Sequence, residues 1–143
     1  MGNSVIDFYR DLMKDHYANP RNIGLKNIGI SCHKHNATCG DDVIVEALIE
    51  DGVIKEINHK EEGCLICCSS ASIMSELLAG KTVEQAQEIF NDFKLTLAGN
   101  EVTYPADLQR LQVYSRMQSM PARVKCATLP WEALNEILIG KEG

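Results

Sequence analysis

The chain lacks the features that would place it outside the ordinary water-soluble class. No apolar run follows a basic start in MGNSVIDFYRDLMKDHYANPRNIG, so no signal peptide is expected. No stretch approaches the roughly 18 apolar residues of a membrane helix. Gly2 stands where an N-myristoylated chain begins, but that motif needs Ser or Thr at position 6, and Ile6 is there. Positive charge is scarce: 14 Lys and Arg against 20 Asp and Glu give a net charge of −6. That balance argues against nonspecific binding to nucleic acid or anionic lipid, and leaves room for a basic protein partner. Repeats, low-complexity segments and linkers are absent, and 143 residues fit a single domain, 1–143. The expected location is cytoplasmic.

What is present is enough apolar material for a core, 45% of the chain, so the fold is not expected to depend on disulfides. Six cysteines in a reducing compartment then read as metal ligands, catalytic thiols or small buried hydrophobes. Residues 4–17 carry Val5, Phe8, Tyr9, Leu12, Met13 and Tyr17 at helical spacing, and Asn19-Pro20 ends that helix. Residues 19–30 read as a loop. DDVIVEALIE and VIKEINHKEE flank Asp51-Gly52, a hairpin signal, because a type I′ turn needs positive φ at both central positions. Val43, Val45, Ala47 and Ile49 share one face of the first strand; Val53, Lys55 and Ile57 make the second less regular. Residues 30–38 add a strand beside the hairpin.

From residue 65 the pattern becomes helical, with Gly80 as the stop. Thr82-Val83-Glu84-Gln85 is a capping box opening a helix through about Phe93. Residues 98–104 are a loop, Pro105 suits the start of a helix, and ADLQRLQVYSRMQ continues it. A last helical region begins near Pro121, breaks at Pro130 and resumes as WEALNEILIG. The expected class is α+β: a small antiparallel β-sheet with helices packed on one face.

The thiols fall into several segments. In ATCGDD, Gly40 allows a tight turn that points Cys39 and Asp41 at one spot, half of a metal site; an ordinary strand-initiating turn fits equally well. Cys64 follows Gly63 at a strand-to-helix junction, where free N–H groups and the helix dipole favour thiolate. A small buried residue in a tight turn also fits there. Cys64-Leu65-Ile66-Cys67 spells C-x-x-C, but no second such pair completes a zinc knuckle, and a hairpin precedes it where a thioredoxin motif would need a βαβ unit. Cys67 and Cys68 therefore read as packing residues, with Cys67 a spare ligand one turn from Cys64. Cys126 lies in MPARVKCATLPW beside Arg123 and Lys125, cations that favour thiolate; a plain helix-face cysteine is the alternative. Cys32, His33 and His35 read as surface, because alternation separates Cys32 from His33. His16 and His59 have no evident partners, and Met13, Met74, Met117 and Met120 read as core filler. Taken together, Cys39, Asp41, Cys64 and Cys126 supply three thiols and a carboxylate, enough for one four-coordinate site.

These motifs, with FYRDLMKDHYANPRNIG at the start and MPARVKCATLPWEAL near the end, resemble the U-type iron–sulfur assembly family, IscU/SufU/NifU N-terminal, over nearly the whole chain. GCLICCSSASIM is similar to that family's second ligand motif. Two departures point to the SufU branch: Lys125 precedes Cys126 where IscU-type scaffolds have His in a chaperone-binding stretch, and residues 98–118 are extra chain. The resemblance implies one zinc ion on Cys39, Asp41, Cys64 and Cys126, with Cys39 as the sulfur acceptor from a pyridoxal-phosphate cysteine desulfurase of SufS type. It also implies contact with other iron–sulfur assembly components. Arg123 and Lys125 are accessory candidates for stabilising anionic sulfur. The rival class is a scaffold that assembles a transient [2Fe–2S] cluster on the same residues. A structural zinc domain is the plainest option, but a chain with this much core should not need zinc to fold.

Overall fold

The structure is a computed structural model that describes residues 11–38, 40–115, 117 and 120–142. The expected first helix is helical over residues 11–18, called α1 here; its earlier part lies outside the described residues. Strands β1 (Ile30–Asn36), β2 (Asp41–Glu50) and β3 (Val53–Glu62) form one antiparallel sheet in the order β1-β2-β3. Helices α2 (Leu65–Leu78), α3 (Val83–Leu97) and α4 (Pro121–Glu142) follow, with a 3-10 helix over Ala106–Tyr114 between α3 and α4. The class is α+β, as expected.

The hairpin turns where the sequence places it. Asp51 and Gly52 both take positive φ, 54° and 75°, as a type I′ turn requires. Val43, Val45 and Ala47 are buried, and α2 and α4 pack over their face of the sheet. The irregular β3 has a structural cause. The register shifts between Leu48 and Ile49, so Ala47 faces Ile57 while Ile49 faces Ile54. That bulge leaves Lys55 exposed and brings both Ile54 and Ile57 into the core, which strict alternation would forbid.

On the other face, Glu46 is buried against alternation because its carboxylate accepts from the backbone N–H of Lys26 (2.9 Å) and Asn27 (3.1 Å) and from Asn58 Nδ2 (3.0 Å). Burial acts to raise its pKa, but these bonds outweigh it and the net shift is downward.

The loop after α1 is tied down by serines of α2. Ser72 Oγ lies 2.7 Å from His16 Nδ1 and accepts from Arg21 N–H at 2.8 Å, and Asn22 Nδ2 donates to Ser75 Oγ at 3.0 Å. The two histidines without evident partners therefore have them: His59 is buried between Glu61 and the Arg21 carbonyl, and His16 against Ser72. Burial, followed by the Arg21 charge, lowers the His16 pKa below its ordinary 6.5. The unfolded chain therefore binds a proton that the folded chain excludes. Stability is full above about pH 6.5 and falls as pH drops through that value toward the lower folded pKa. His16→Leu is expected to flatten this slope in urea titrations at pH 5 and pH 7; an unchanged slope would assign the dependence elsewhere.

Three expectations need correction. The stretch after Pro105 is a 3-10 helix, not an α-helix, with Leu108, Leu111, Val113 and Tyr114 buried. The helix from Pro121 does not break at Pro130 but runs unbroken to Glu142. Tertiary contacts hold it there. Ser70 Oγ donates to the Ala127 carbonyl at 2.6 Å and accepts from Trp131 Nε1 at 3.0 Å, and Trp131 stacks on Phe93 at 4.5 Å. Together these outweigh the lost backbone bond of an internal proline. Met120, read as core, is 43% exposed. The α3 capping box is present in both directions, Thr82 N–H to Gln85 Oε1 (2.9 Å) and Gln85 N–H to Thr82 Oγ1 (3.1 Å), and α3 extends to Leu97.

Candidate metal centre

The β1–β2 turn, the β3–α2 junction and the second turn of α4 meet at one end of the sheet. Gly40, with φ of 76°, closes the first of these, its N–H donating to the Asn36 carbonyl at 2.7 Å. Only a residue free of a Cβ takes that conformation readily, and it turns the chain so that Asp41 enters β2 on the buried face. At the second, Cys64 is the N-cap of α2, with extended backbone (φ −75°, ψ 171°) and no side-chain cap. No acidic residue occupies the first turn of α2, so the carboxylate at its positive end comes from β2: Asp41 Oδ1 accepts from the Cys64 N–H. At the third, Cys126 is fully buried, next to the Ser70–Ala127 bond that docks α4 on α2.

Asp41, Cys64 and Cys126 each offer one ligand atom, and these atoms lie within 4.8 Å of one another. Asp41 is 2% exposed. Its Oδ1 accepts from the Cys64 N–H at 3.1 Å, which fixes the carboxylate across the strand–helix junction. Its Oδ2 is buried with no hydrogen-bond partner. A buried carboxylate oxygen left without a donor is costly unless a cation completes it. Two sulfurs and an oxygen suit zinc, which takes both ligand types in a tetrahedral shell. The donor set therefore fits the metal, with one position left for a fourth ligand. Cys39, the expected fourth, lies outside the described residues.

The neighbouring thiols differ in kind. Burial first, and the Asp41 charge second, push the Cys67 thiol far above the ordinary range; it packs in the core with no exposure. Cys68 is half-buried, its Sγ donates to the Gly63 carbonyl at 3.5 Å, and burial, then the Glu61 carboxylate, raises it to about 11. Both are therefore held as thiols at neutral pH. Cys32 points to the helix side, where its Sγ donates to Glu136 at 3.0 Å, while His33 meets Asp42 at 2.7 Å on the opposite face. The alternation expected for that strand is present. Arg123 and Lys125 are exposed on the first turns of α4, and Lys125 lines a cavity beside the site.

One residue essential to the geometry carried little weight in the sequence. A Cβ at Gly63 would lie 2.6 Å from Asp41 Oδ1 and 3.3 Å from Cys67 Cβ. The constraint is space, not backbone freedom, and a Gly directly before a ligating Cys was its only signal. Gly63→Ala is expected to displace the carboxylate and weaken zinc binding by about 10–100-fold, the range seen when support of a ligand is lost. Competition titration against a chromophoric chelator measures this, and unchanged affinity would show that the carboxylate tolerates the shift.

Comparison with known proteins shows the family to which this fold belongs. The NifU-like N terminal domain profile matches residues 8–139. The chain is 35% identical over 142 residues to the zinc-dependent sulfurtransferase SufU of Bacillus subtilis strain 168, covering 99% of this chain and 97% of that one. It is 28% identical over 130 residues to the iron–sulfur cluster assembly scaffold protein IscU of Streptococcus pyogenes serotype M1, covering 91% and 82% of the two chains. Among solved structures, a candidate iron–sulfur cluster assembly scaffold protein for the SUF system from Fervidobacterium islandicum AW-1 superposes with a TM-score of 0.77 at 27% identity, covering 92% and 93%. With Asp41, Cys64 and Cys126 gathered on this sheet and these helices, the chain belongs to the NifU-like N-terminal domain family.

Proposed function

We propose that residues 1–143 act as one domain that accepts sulfur from a cysteine desulfurase during iron–sulfur cluster biogenesis, as a zinc-dependent sulfurtransferase of the cytoplasm. The observation that carries this reading is the unpartnered Asp41 Oδ2, buried among the Cys64 and Cys126 ligand atoms. Likeness to a zinc-dependent sulfurtransferase over the full chain supports it. No helix among the described residues is long and apolar enough to cross a membrane.

Cys39, Asp41, Cys64 and Cys126 would hold the zinc ion, which keeps their thiols deprotonated at neutral pH. Cys39 is the acceptor. Its thiolate attacks the outer sulfur of the desulfurase persulfide, the persulfide S–S bond breaks, and the desulfurase cysteine leaves as thiolate. A new S–S bond joins the transferred sulfur to Cys39. Asp41, Cys64 and Cys126 stay in place meanwhile, held by the Cys64 N–H bond to Asp41 and by the docking of α4. Arg123 and Lys125 supply positive charge near the anionic sulfur. The test is the turnover of a cysteine desulfurase with and without this chain.

A second reading, a scaffold for a [2Fe–2S] cluster on the same four residues, is favoured by likeness to proteins described as scaffolds. Lys125 standing directly before Cys126, in place of the histidine of IscU-type scaffolds, weighs against it.

A further inference from the structure

The extra chain after α3 is packed into the molecule, with Leu108, Leu111, Val113 and Tyr114 buried. Tyr114 meets Phe93 edge to face at 5.4 Å, and Phe93 stacks in turn on Trp131 of α4 at 4.5 Å. The polar tips of the two outer rings reach adjacent serines of α2. Ser69 Oγ donates to the Ile66 carbonyl at 3.2 Å and lies 3.0 Å from Tyr114 Oη, so the phenol donates to it. Trp131 Nε1 donates to Ser70 Oγ at 3.0 Å. Both serines are fully buried.

Ser70 makes a second bond, donating its own proton to the Ala127 carbonyl at 2.6 Å. Ala127 directly follows Cys126 in the chain, and Trp131 stands one turn further along α4. Cys64 is the N-cap of α2, the helix that carries Ser70. One hydroxyl therefore ties the helix of one ligand to the segment of the other at two points. Apolar burial between α2 and α4 is non-directional, whereas a hydrogen bond has a defined length and angle. A slip of one residue along α4 shifts a side chain by about 1.5 Å and turns it by about 100°. Metal–ligand distances tolerate only about 0.2 Å. The two bonds of Ser70 supply directional constraint at the place where the ligand distances need it.

We propose that Ser70 is a positioning residue of the metal centre. Its bonds to Ala127 and Trp131 set the register of α4 on α2 and so hold Cys126 within reach of Cys64 and Asp41, while Tyr114 anchors the same turn of α2 through Ser69. This rests on the metal-centre reading above and does not depend on sulfur transfer. Ser70 acts through the helices and is not itself a ligand.

The test loads the full chain with cobalt(II) in place of zinc, because the visible d–d bands of bound cobalt report the number and arrangement of its ligands. Ser70→Ala removes the hydroxyl and little volume. It is expected to weaken zinc and cobalt binding about tenfold, the scale of a hydrogen bond lost with its partner left buried, and to alter the bands at full occupancy. A merely structural role would lower the melting temperature of the metal-free and loaded protein alike and leave the bands unaltered. Wild-type bands at full occupancy therefore overturn the proposal, whatever happens to the melting temperature. A wild-type chain that binds neither metal overturns the metal-centre reading and the proposal with it. Should Ser70→Ala fold poorly, Trp131→Phe keeps an aromatic ring against Phe93 and loses the N–H; altered bands support the assignment, and wild-type bands overturn it.

Discussion

A cysteine desulfurase supplied with cysteine is expected to turn over several-fold faster when the zinc-loaded protein is added, and to return to its basal rate with Cys39→Ala. The reason is chemical. A desulfurase that has formed its persulfide waits for a thiolate to take the outer sulfur, and discharge of that persulfide limits the cycle when acceptors are scarce. A small soluble thiol reaches the persulfide only by chance collision. A docked protein thiolate presents it at high effective concentration, which removes much of the entropic barrier. Cys39→Ala leaves Asp41, Cys64 and Cys126 in place, so docking and part of the metal centre survive while the acceptor is gone. Stimulation that persists in Cys39→Ala would move the acceptor role to another thiol. No stimulation by the wild type, together with a visible cluster once iron and sulfide are added, would favour the scaffold.

Asp41→Asn is expected to move two measurements in opposite directions. Zinc affinity should fall by more than the ~100-fold that follows loss of a group supporting a ligand, because here a ligand itself loses its charge. The metal-free protein should become more stable by about 1–2 kcal/mol, since a buried carboxylate whose Oδ2 has no hydrogen-bond partner is replaced by a neutral amide. The amide oxygen can still accept from the Cys64 N–H, so the junction keeps its bond. A stabilising substitution that removes function is the mark of a group retained for its ligand and not for the fold. Chelator competition measures the first effect and urea unfolding of the apoprotein the second. An apoprotein destabilised by Asp41→Asn would mean that the carboxylate serves the fold.

Much of the architecture was legible because its signals are local. The Asp51-Gly52 turn needs two residues with positive φ, and both have it. The α3 capping box needs Thr82 and Gln85 three apart, and both of its bonds form. Cys64 at a strand–helix junction was readable from the Gly-Cys pair and the change of period at residue 65. The misread parts lie where distant residues overrule local preference. Pro130 should end a helix, yet Ser70 and Phe93 hold Trp131 and Ala127 in place across the core. Lys55 interrupts an apolar strand face, and only the bulge opposite Leu48 and Ile49 explains it.

The same division runs through the site. Residue types nominated Cys39, Asp41, Cys64 and Cys126 as a set, because ligand chemistry belongs to the side chain; each motif alone left a plainer reading open, and it was the family resemblance that implied one zinc ion on the four. Tertiary structure decided that Asp41 and Cys64, 23 residues apart, would share a hydrogen bond, and that the α4 thiol would reach both. It also decided that Gly63 must lack a Cβ and that Ser70 would bond both Ala127 and Trp131 across the two helices. Those facts depend on strand register and helix docking, which are set by the burial of many side chains at once, and no single segment of the chain contains them.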